Sequence, residues 1–166
     1  MGYRKIVIVG ENNLCRSFIA ESILRGLLNK KNISNIEVIS RGLVVMFSEP
    51  VSPVAERLLR HHGYKIEEFR SSPLTEKDLE SADLVLTMTR AQAEQVRKDY
   101  ATQAACMSVG TFIDMDEDIR SPEEGIEQAE DENEVLETFF HSVEQSMEAV
   151  ADRIIGELSP VSEILS

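Results

Sequence analysis

A short polar loop near the N-terminus holds the residue types best suited to chemistry. It is followed by apolar residues at helical spacing, so that Arg16 and Ser17 fall at the start of a helix. A helix N-terminus offers unpaired N–H groups and the positive end of the helix dipole, and an arginine adds a bidentate fork for an oxyanion. The loop therefore predicts a cradle for phosphate or sulfate, formed by Glu11, Asn12, Asn13, Leu14, Cys15, Arg16 and Ser17.

This loop differs from the common nucleotide-binding loops. It lacks both the G-x-G-x-x-G fingerprint of dinucleotide-binding folds and the G-K-[ST] ending of a nucleotide phosphate loop. Composition alone favours an ordinary surface or ion-paired role for Arg16. The surrounding elements must therefore decide between that role and anion binding.

Strands alternate with helices along the chain. Short apolar runs predict four strands, at 5–9, 36–39, 83–88 and 104–109, and apolar residues at helical spacing predict a long final helix over about 136–158. This alternation implies βαβ crossovers. We expect an α/β fold in one domain spanning 1–166, a doubly wound, four-stranded parallel sheet with helices on both faces. Ligands bind beyond the carboxyl ends of such strands, where the polar loop lies.

Capping residues mark several helix boundaries. Gly63 is a natural terminator for the helix after the second strand. Three helix starts are predicted by Ser52 followed by Pro53, by Thr75 paired with Asp78, and by Thr89.

The negative charge of the chain is concentrated in one segment. The net charge is -13, and residues 114–148 hold 14 acidic residues against one base, Arg120. No cluster of Lys and Arg suits a nucleic acid or an anionic membrane, so neither is an expected partner. The acidic segment is typical of a solvated loop and helix face. The alternative is a docking surface for a basic protein partner.

The remaining polar residues predict no further chemistry. The three histidines, His61, His62 and His141, show no spacing typical of a metal site, and we expect neither metal nor cofactor. Two cysteines are too few for a disulfide framework, and we expect neither a signal peptide nor a membrane-spanning run. A cytoplasmic location is the simplest expectation.

The polar loop resembles a known active-site loop. Residues 10–21, G-E-N-N-L-C-R-S-F-I-A-E, are similar to that loop in the low-molecular-weight protein tyrosine phosphatases, with matches at Asn13, Cys15, Arg16, Ser17, Ala20 and Glu21. Residues 71–88 resemble the bacterial branch that includes the protein-arginine phosphatases. The resemblance spans about residues 4–158 and implies the phosphatase fold. It also implies that Asn13 and Ser40 support the loop, and that Leu14 lines the pocket for the substrate's organic group.

The departures from the family pattern fall on its catalytic positions. Gly10 stands where the family has its nucleophilic cysteine, and Ser121 stands where it has its general-acid aspartate. Glycine has no side chain with which to attack, and a serine hydroxyl cannot protonate a leaving oxygen near neutral pH. Phe18 replaces the usual proline, and Phe69 replaces a loop-supporting histidine.

Cys15 is the substitute nucleophile that the loop itself offers. The positive charge of the adjacent Arg16 would act to lower the pKa of this thiol. Adjacent side chains diverge, however, so a buried and inert thiol is the competing interpretation. Asp114, Asp116 and Asp118 lie near the missing acid in sequence.

Three hypotheses follow for the function. The first is a catalytically impaired phosphatase relative that binds phosphate, sulfate or a phosphorylated protein or small molecule. The second is an active tyrosine or arginine phosphomonoesterase with a rearranged site that uses Cys15 or an activated water. The third is an interaction module that acts through the acidic surface of residues 114–148.

Overall fold

The structure, a computed structural model, describes residues 2–123 and 130–158. Strands and helices alternate along it as the sequence predicts. The strands are β1 (Lys5–Gly10), β2 (Glu37–Gly42), β3 (Leu84–Thr87) and β4 (Ala105–Ser108). The helices are α1 (Arg16–Lys30), α2 (Pro53–His61), α3 (Glu76–Glu80), α4 (Arg90–Asp99), α5 (Val109–Phe112) and α6 (Glu132–Leu158).

The four strands form one parallel sheet in the order β2-β1-β3-β4. The central strand β1 pairs with β2 in a register that matches Lys5 to Glu37 and Gly10 to Gly42. It pairs on its other side with β3. The predicted α/β fold with a four-stranded parallel sheet is confirmed. All parallel strands end at one edge, so the loop after β1 lies where a doubly wound sheet binds its ligands.

Apolar side chains alternate between the two faces of β1. Ile6 and Ile8 pack into the larger cluster, which includes residues of α1, α2, α5 and α6. Val7 and Val9 pack on the opposite face with residues of α3 and α4. Both faces of the sheet are therefore covered by helices, which explains why β1 is apolar at successive positions.

The predicted helix starts are confirmed by side-chain hydrogen bonds. The Ser52 hydroxyl accepts from the Ala55 amide at 3.2 Å, and Thr75 and Thr89 each form a capping box. Gly63, just beyond α2, has φ +79°, a conformation that side chains other than glycine rarely adopt.

Most strand boundaries differ from the sequence prediction by one residue, and β2 ends three residues later than predicted. The second strand continues to Gly42, because β2 pairs with β1 along its whole length and its polar residues stay in the ladder. The fourth strand ends at Ser108, whose hydroxyl accepts from the Thr111 amide at 3.1 Å and starts α5. Val109 is therefore helical. Among the described residues, no helix is long and apolar enough to cross a membrane.

Candidate anion-binding site

The loop between β1 and α1 turns sharply at Asn13. Asn13 has φ 63°, in the left-handed region that asparagine tolerates better than most residues. The Leu14 amide donates to the Asn12 side chain at 3.1 Å, and the Ser52 amide donates to the Leu14 carbonyl at 3.2 Å. Cys15 is the N-cap of α1 without a side-chain cap hydrogen bond. The first turn of α1 therefore opens toward the loop.

A buried hydrogen-bond network holds the loop in this shape. The Asn13 amide nitrogen donates to the Ser17 and Ser40 hydroxyls at 3.1 and 2.9 Å. The Asn13 oxygen accepts from the Ser72 amide at 3.0 Å. The Ser40 hydroxyl in turn donates to Glu21 at 2.8 Å. Because Asn13 and Ser40 are almost fully buried, this network fixes the loop on β2 and on the segment before α3.

The loop lies directly against two glycines of the sheet. A Cβ on Gly42 would come within 2.8 Å of the Glu11 carbonyl, so only glycine fits there without moving the loop backbone. A Cβ on Gly10 would come within 2.9 Å of the Ser17 hydroxyl and 3.0 Å of its Cβ. Ser17 therefore occupies the space next to Gly10.

The segment after α5 forms the opposite wall of the site. The Ile119 amide donates to the Met88 carbonyl at 2.9 Å, beyond the end of β3. The Ile119 carbonyl accepts from Arg16 Nη1 at 2.8 Å. The Asp118 carboxylate accepts from the Arg90 amide at 2.9 Å. These bonds hold the following residues, Ser121 and Pro122, over the loop.

The two walls enclose a cavity of about 350 Å³. It contains most of the predicted anion-binding residues and the residue at the predicted general-acid position. Leu14 does not line it, and the Leu14 N–H is already bonded to Asn12. The lining residues are Gly10, Glu11, Asn12, Asn13, Cys15, Arg16, Ser17, Ser121, Pro122 and Glu123.

Most residues that line this cavity also carry a backbone N–H group. Within residues 2–123 and 130–158, no acceptor is found for the amide N–H groups of six loop residues: Glu11, Asn12, Asn13, Cys15, Arg16 and Ser17. The last two belong to the first turn of α1, where N–H groups have no partner within the helix. The geometry can therefore offer several N–H donors and one guanidinium to an oxyanion.

Comparison of the sequence with models of known protein families identifies the family of this chain. Residues 5–159 match the family model described as low molecular weight phosphotyrosine protein phosphatase. The chain belongs to this family.

Two bacterial proteins show moderate sequence identity to this phosphatase family member. It is 32% identical over 97 residues to "Probable low molecular weight protein-tyrosine-phosphatase EpsP" from Ralstonia nicotianae, covering 58% of this chain and 63% of that relative. It is 30% identical over 118 residues to the phosphatase PtpB from Staphylococcus epidermidis, covering 71% of this chain and 80% of PtpB. The match thus spans less than two thirds of EpsP.

Solved structures of family members share the fold at lower identity. The phosphatase from T. tengcongensis superposes with a TM-score of 0.77 at 24% identity, covering 90% of this chain and 98% of that one. The YwlE arginine phosphatase, a cysteine-to-serine mutant with a phosphorylated active-site serine, superposes with a TM-score of 0.70 at 23% identity. The match covers 90% of this chain and 94% of that one. The tyrosine phosphatase Wzb from Escherichia coli K30, in complex with sulphate, superposes with a TM-score of 0.70 at 22% identity. The match covers 91% of this chain and 98% of that one.

Phe18 and Phe69, which the sequence resemblance singled out, contact one another. The rings of Phe18 and Phe69 lie with their centroids 4.1 Å apart at an interplanar angle of 39°. Phe18 lies in the first turn of α1, and Phe69 lies in the segment before α3. An apolar contact therefore joins α1 to the segment that carries Ser72.

Cys15 has a raised pKa, which favours the buried and inert thiol over a nucleophile at this position. Burial raises the pKa of the Cys15 thiol, and this effect exceeds the opposing ones of a hydrogen bond with Ser52 and the charge of Arg16. The Glu123 carboxylate raises the pKa further. The thiol is therefore protonated, and weakly nucleophilic, in the neutral range.

Asp116 and Asp118, two of the acidic residues near Ser121, are engaged outside the loop cavity. Asp116 pairs with Arg90 at 2.6 Å, and Asp118 accepts from the Arg90 amide. Both line a neighbouring cavity of about 600 Å³ rather than that of the loop. Residues 124–129 of the acidic segment lie outside the described residues.

The fold also brings together three ligand-type side chains that the sequence did not reveal as a group. One ligand atom from each of His61, His62 and Glu137 lies within 4.8 Å of the others. Glu137 belongs to a different helix from the histidines, so no local spacing could have indicated this cluster.

Proposed function

We propose that this family member binds a phosphoryl or sulfuryl group in the loop cavity without hydrolysing it. The observation that carries the proposal is Gly10 on the lining of the cavity, beside Ser17 at the start of α1. The cavity keeps the donors that bind an oxyanion, yet position 10 has no group that attacks phosphorus. The physiological ligand would be a phosphorylated protein or a small phosphate.

Turnover by the family chemistry needs two groups, a nucleophile and an acid. At the nucleophile position, Gly10 cannot form a phosphoenzyme intermediate. At the acid position, Ser121 lines the cavity, but its hydroxyl is far too weak an acid to protonate a leaving oxygen near neutral pH. Phosphoryl transfer to the enzyme would therefore lack both its nucleophile and the acid that protonates its leaving group.

Binding does not depend on those two groups. A thiolate beneath an incoming dianion would repel it, and Gly10 removes that repulsion while the loop amides and Arg16 remain. Glu11 and Glu123 also line the cavity and are exposed, so their carboxylates can turn toward water. Arg16 is held by Ile119, which keeps its guanidinium at the cavity wall.

The first experiment measures binding and turnover in parallel. Binding of inorganic phosphate and phosphotyrosine is followed by calorimetry, and hydrolysis of an aryl phosphate, a phosphotyrosine peptide and a phosphoarginine peptide is followed from mildly acid to neutral pH. Arg16→Ala tests the guanidinium, and Arg57→Ala removes an exposed charge from α2 as the matched control. We expect saturable binding without turnover, lost in the Arg16 variant and retained in the Arg57 variant.

A double variant tests whether the cavity is a phosphatase site that lacks only its nucleophile and its general acid. Gly10→Cys with Ser121→Asp restores the two positions, and the Ser17 hydroxyl must rotate to admit the new side chain. We expect turnover from the double variant. Hydrolysis by the unmodified protein that disappears in Arg16→Ala would refute the proposal, and Cys15→Ser would then identify the nucleophile. Absence of any phosphate binding would leave the acidic surface as the functional feature.

A further inference from the structure

We propose that His61, His62 and Glu137 form a binding site for one first-row transition-metal ion, with Zn²⁺ as the representative ion. The site lies where α2 meets α6. It is separate from the loop cavity, because none of the three residues lines that cavity. The inference is independent of the proposed function.

The backbone places the three side chains on the same side of this junction. His61 is the last residue of α2, and His62 is its C-cap. Gly63 then turns the chain away in the left-handed conformation. Glu137 lies in the second turn of α6, and its carboxylate reaches across to the histidines.

One of the two histidine rings is already held in place by its neighbours. His62 stacks on Phe140, with centroids 4.3 Å apart and planes 13° apart. Its Nε2 lies 2.7 Å from Glu137 Oε2. His61 meets the His62 ring edge-on, with centroids 5.1 Å apart and planes 89° apart. Since stacking holds His62 in place, the ion would need to order chiefly the His61 ring.

The donor set determines which ions fit. Two imidazole nitrogens and one carboxylate are a donor set that Zn²⁺ accepts, with water in the fourth position, and Ni²⁺, Cu²⁺ and Co²⁺ also favour imidazole. Mg²⁺ and Ca²⁺ prefer sets made of oxygen atoms alone. The C-terminal end of the α2 dipole also favours a cation beside His61 and His62. Both histidines are exposed, so an ion can reach them from solvent.

A bound ion would join two helices that otherwise meet through side-chain contacts. Because the ligands come from α2 and α6, the complete set exists only in the folded chain. Binding to the folded state alone raises the melting temperature in proportion to the logarithm of the free-ion concentration. The ion would act as a structural link, since the site is remote from the loop.

The test uses Zn²⁺ calorimetry, Co²⁺ absorption spectra and thermal melting of the full chain. His61→Asn and Glu137→Gln each remove one ligand, and both positions tolerate polar residues because they lie at the surface. His141→Asn is the matched control, since His141 lies one turn beyond Glu137 on α6 and outside the cluster. Phosphate binding is measured in every variant.

We expect one equivalent of Zn²⁺ to bind, with affinity at least about tenfold weaker in His61→Asn and Glu137→Gln and unchanged in His141→Asn. Zn²⁺ should raise the melting temperature of the unmodified protein but not that of the ligand variants. The Co²⁺ complex should lack a thiolate-to-cobalt band, because no cysteine belongs to the cluster. Absent saturable binding, equal binding in His61→Asn, or a thiolate band would each overturn the proposal.

Discussion

At the scale of single residues, Asn13 does most to shape the loop. It is 1% exposed, has a left-handed backbone, and joins Ser17, Ser40 and Ser72 through three hydrogen bonds. An aspartate could not replace it, because a carboxylate cannot donate to the two hydroxyls. Asn13 therefore acts as a positioning residue, and its side-chain amide is engaged in supporting the loop rather than free for a ligand.

Substitution of Asn13 separates its side-chain role from its backbone role. Asn13→Ala loses the hydrogen bonds and also strains the left-handed backbone, so we expect a loss of roughly 2–4 kcal/mol in unfolding free energy. Asn13→Gly loses the same bonds but tolerates the backbone, and should cost roughly 1 kcal/mol less. Urea unfolding measures both values. Equal costs for the two variants would show that the backbone conformation carries no penalty.

At the scale of elements, the sequence predicted most of what has a local signal. Helix starts at Ser52, Thr75 and Thr89 were correct, since a capping side chain bonds within its own first turn. Strand ends were less accurate because pairing with a distant partner sets them: β2 continues to Gly42 only because β1 lies beside it. Contacts between segments that are distant along the chain leave no local pattern in the sequence from which a strand end could be predicted.

In the candidate site, too, features with a local sequence signal were predicted and features that depend on distant contacts were not. Its loop is one continuous segment, so the types and order of its residues could be recognised. The bond from Arg16 to the Ile119 carbonyl was not predictable, because any residue supplies a carbonyl. The cluster of His61, His62 and Glu137 was missed because its ligands come from two helices. The raised pKa of Cys15 arises from burial, which adjacency in sequence does not report.

The capping box of α4 gives a prediction at this scale. The Thr89 hydroxyl accepts from the Gln92 amide at 3.1 Å, and the Gln92 side chain accepts from the Thr89 amide at 3.1 Å. Thr89→Ala removes the cap and should cost about 1 kcal/mol in unfolding free energy. Thr89→Ser keeps the hydroxyl and should cost much less. A serine variant as unstable as the alanine variant would mean that the methyl group, rather than the cap, stabilises α4.

At the scale of the whole molecule, α6 covers one face of the sheet and is held by two tyrosines. The Tyr64 hydroxyl donates to Glu144, in the middle of α6. Burial and a hydrogen bond to Glu157, near the helix end, raise the pKa of Tyr3 to about 12. Burial, with the nearby carboxylates of Glu144 and Glu148, also raises the pKa of Tyr64. Both contacts require protonated tyrosines.

Stability should therefore fall at alkaline pH. A tyrosine whose folded pKa is raised contributes its full stabilisation below pH about 10, its unfolded pKa, and loses it progressively above that pH. Tyr64→Phe should be less stable than the unmodified protein at neutral pH but lose less stability between pH 10 and 11. Urea unfolding across this range measures the slope.

Tyr100→Phe is the matched control for this pH series. The Tyr100 hydroxyl lies 3.4 Å from the Leu74 carbonyl rather than beside a carboxylate of α6. Its removal should leave the alkaline slope nearly unchanged. Equal slopes for Tyr64→Phe and the unmodified protein would exclude Tyr64 as a source of alkaline destabilisation.

The network around Asn13 also has an evolutionary consequence. The residues that give the loop its curvature, Asn13, Ser40, Glu21 and Gly42, are different from the residue at position 10. Under the proposed function, a lineage that exchanged the residue at position 10 for glycine would still produce chains that fold and escape degradation. Loss of hydrolysis would then leave the fold available for selection on binding alone.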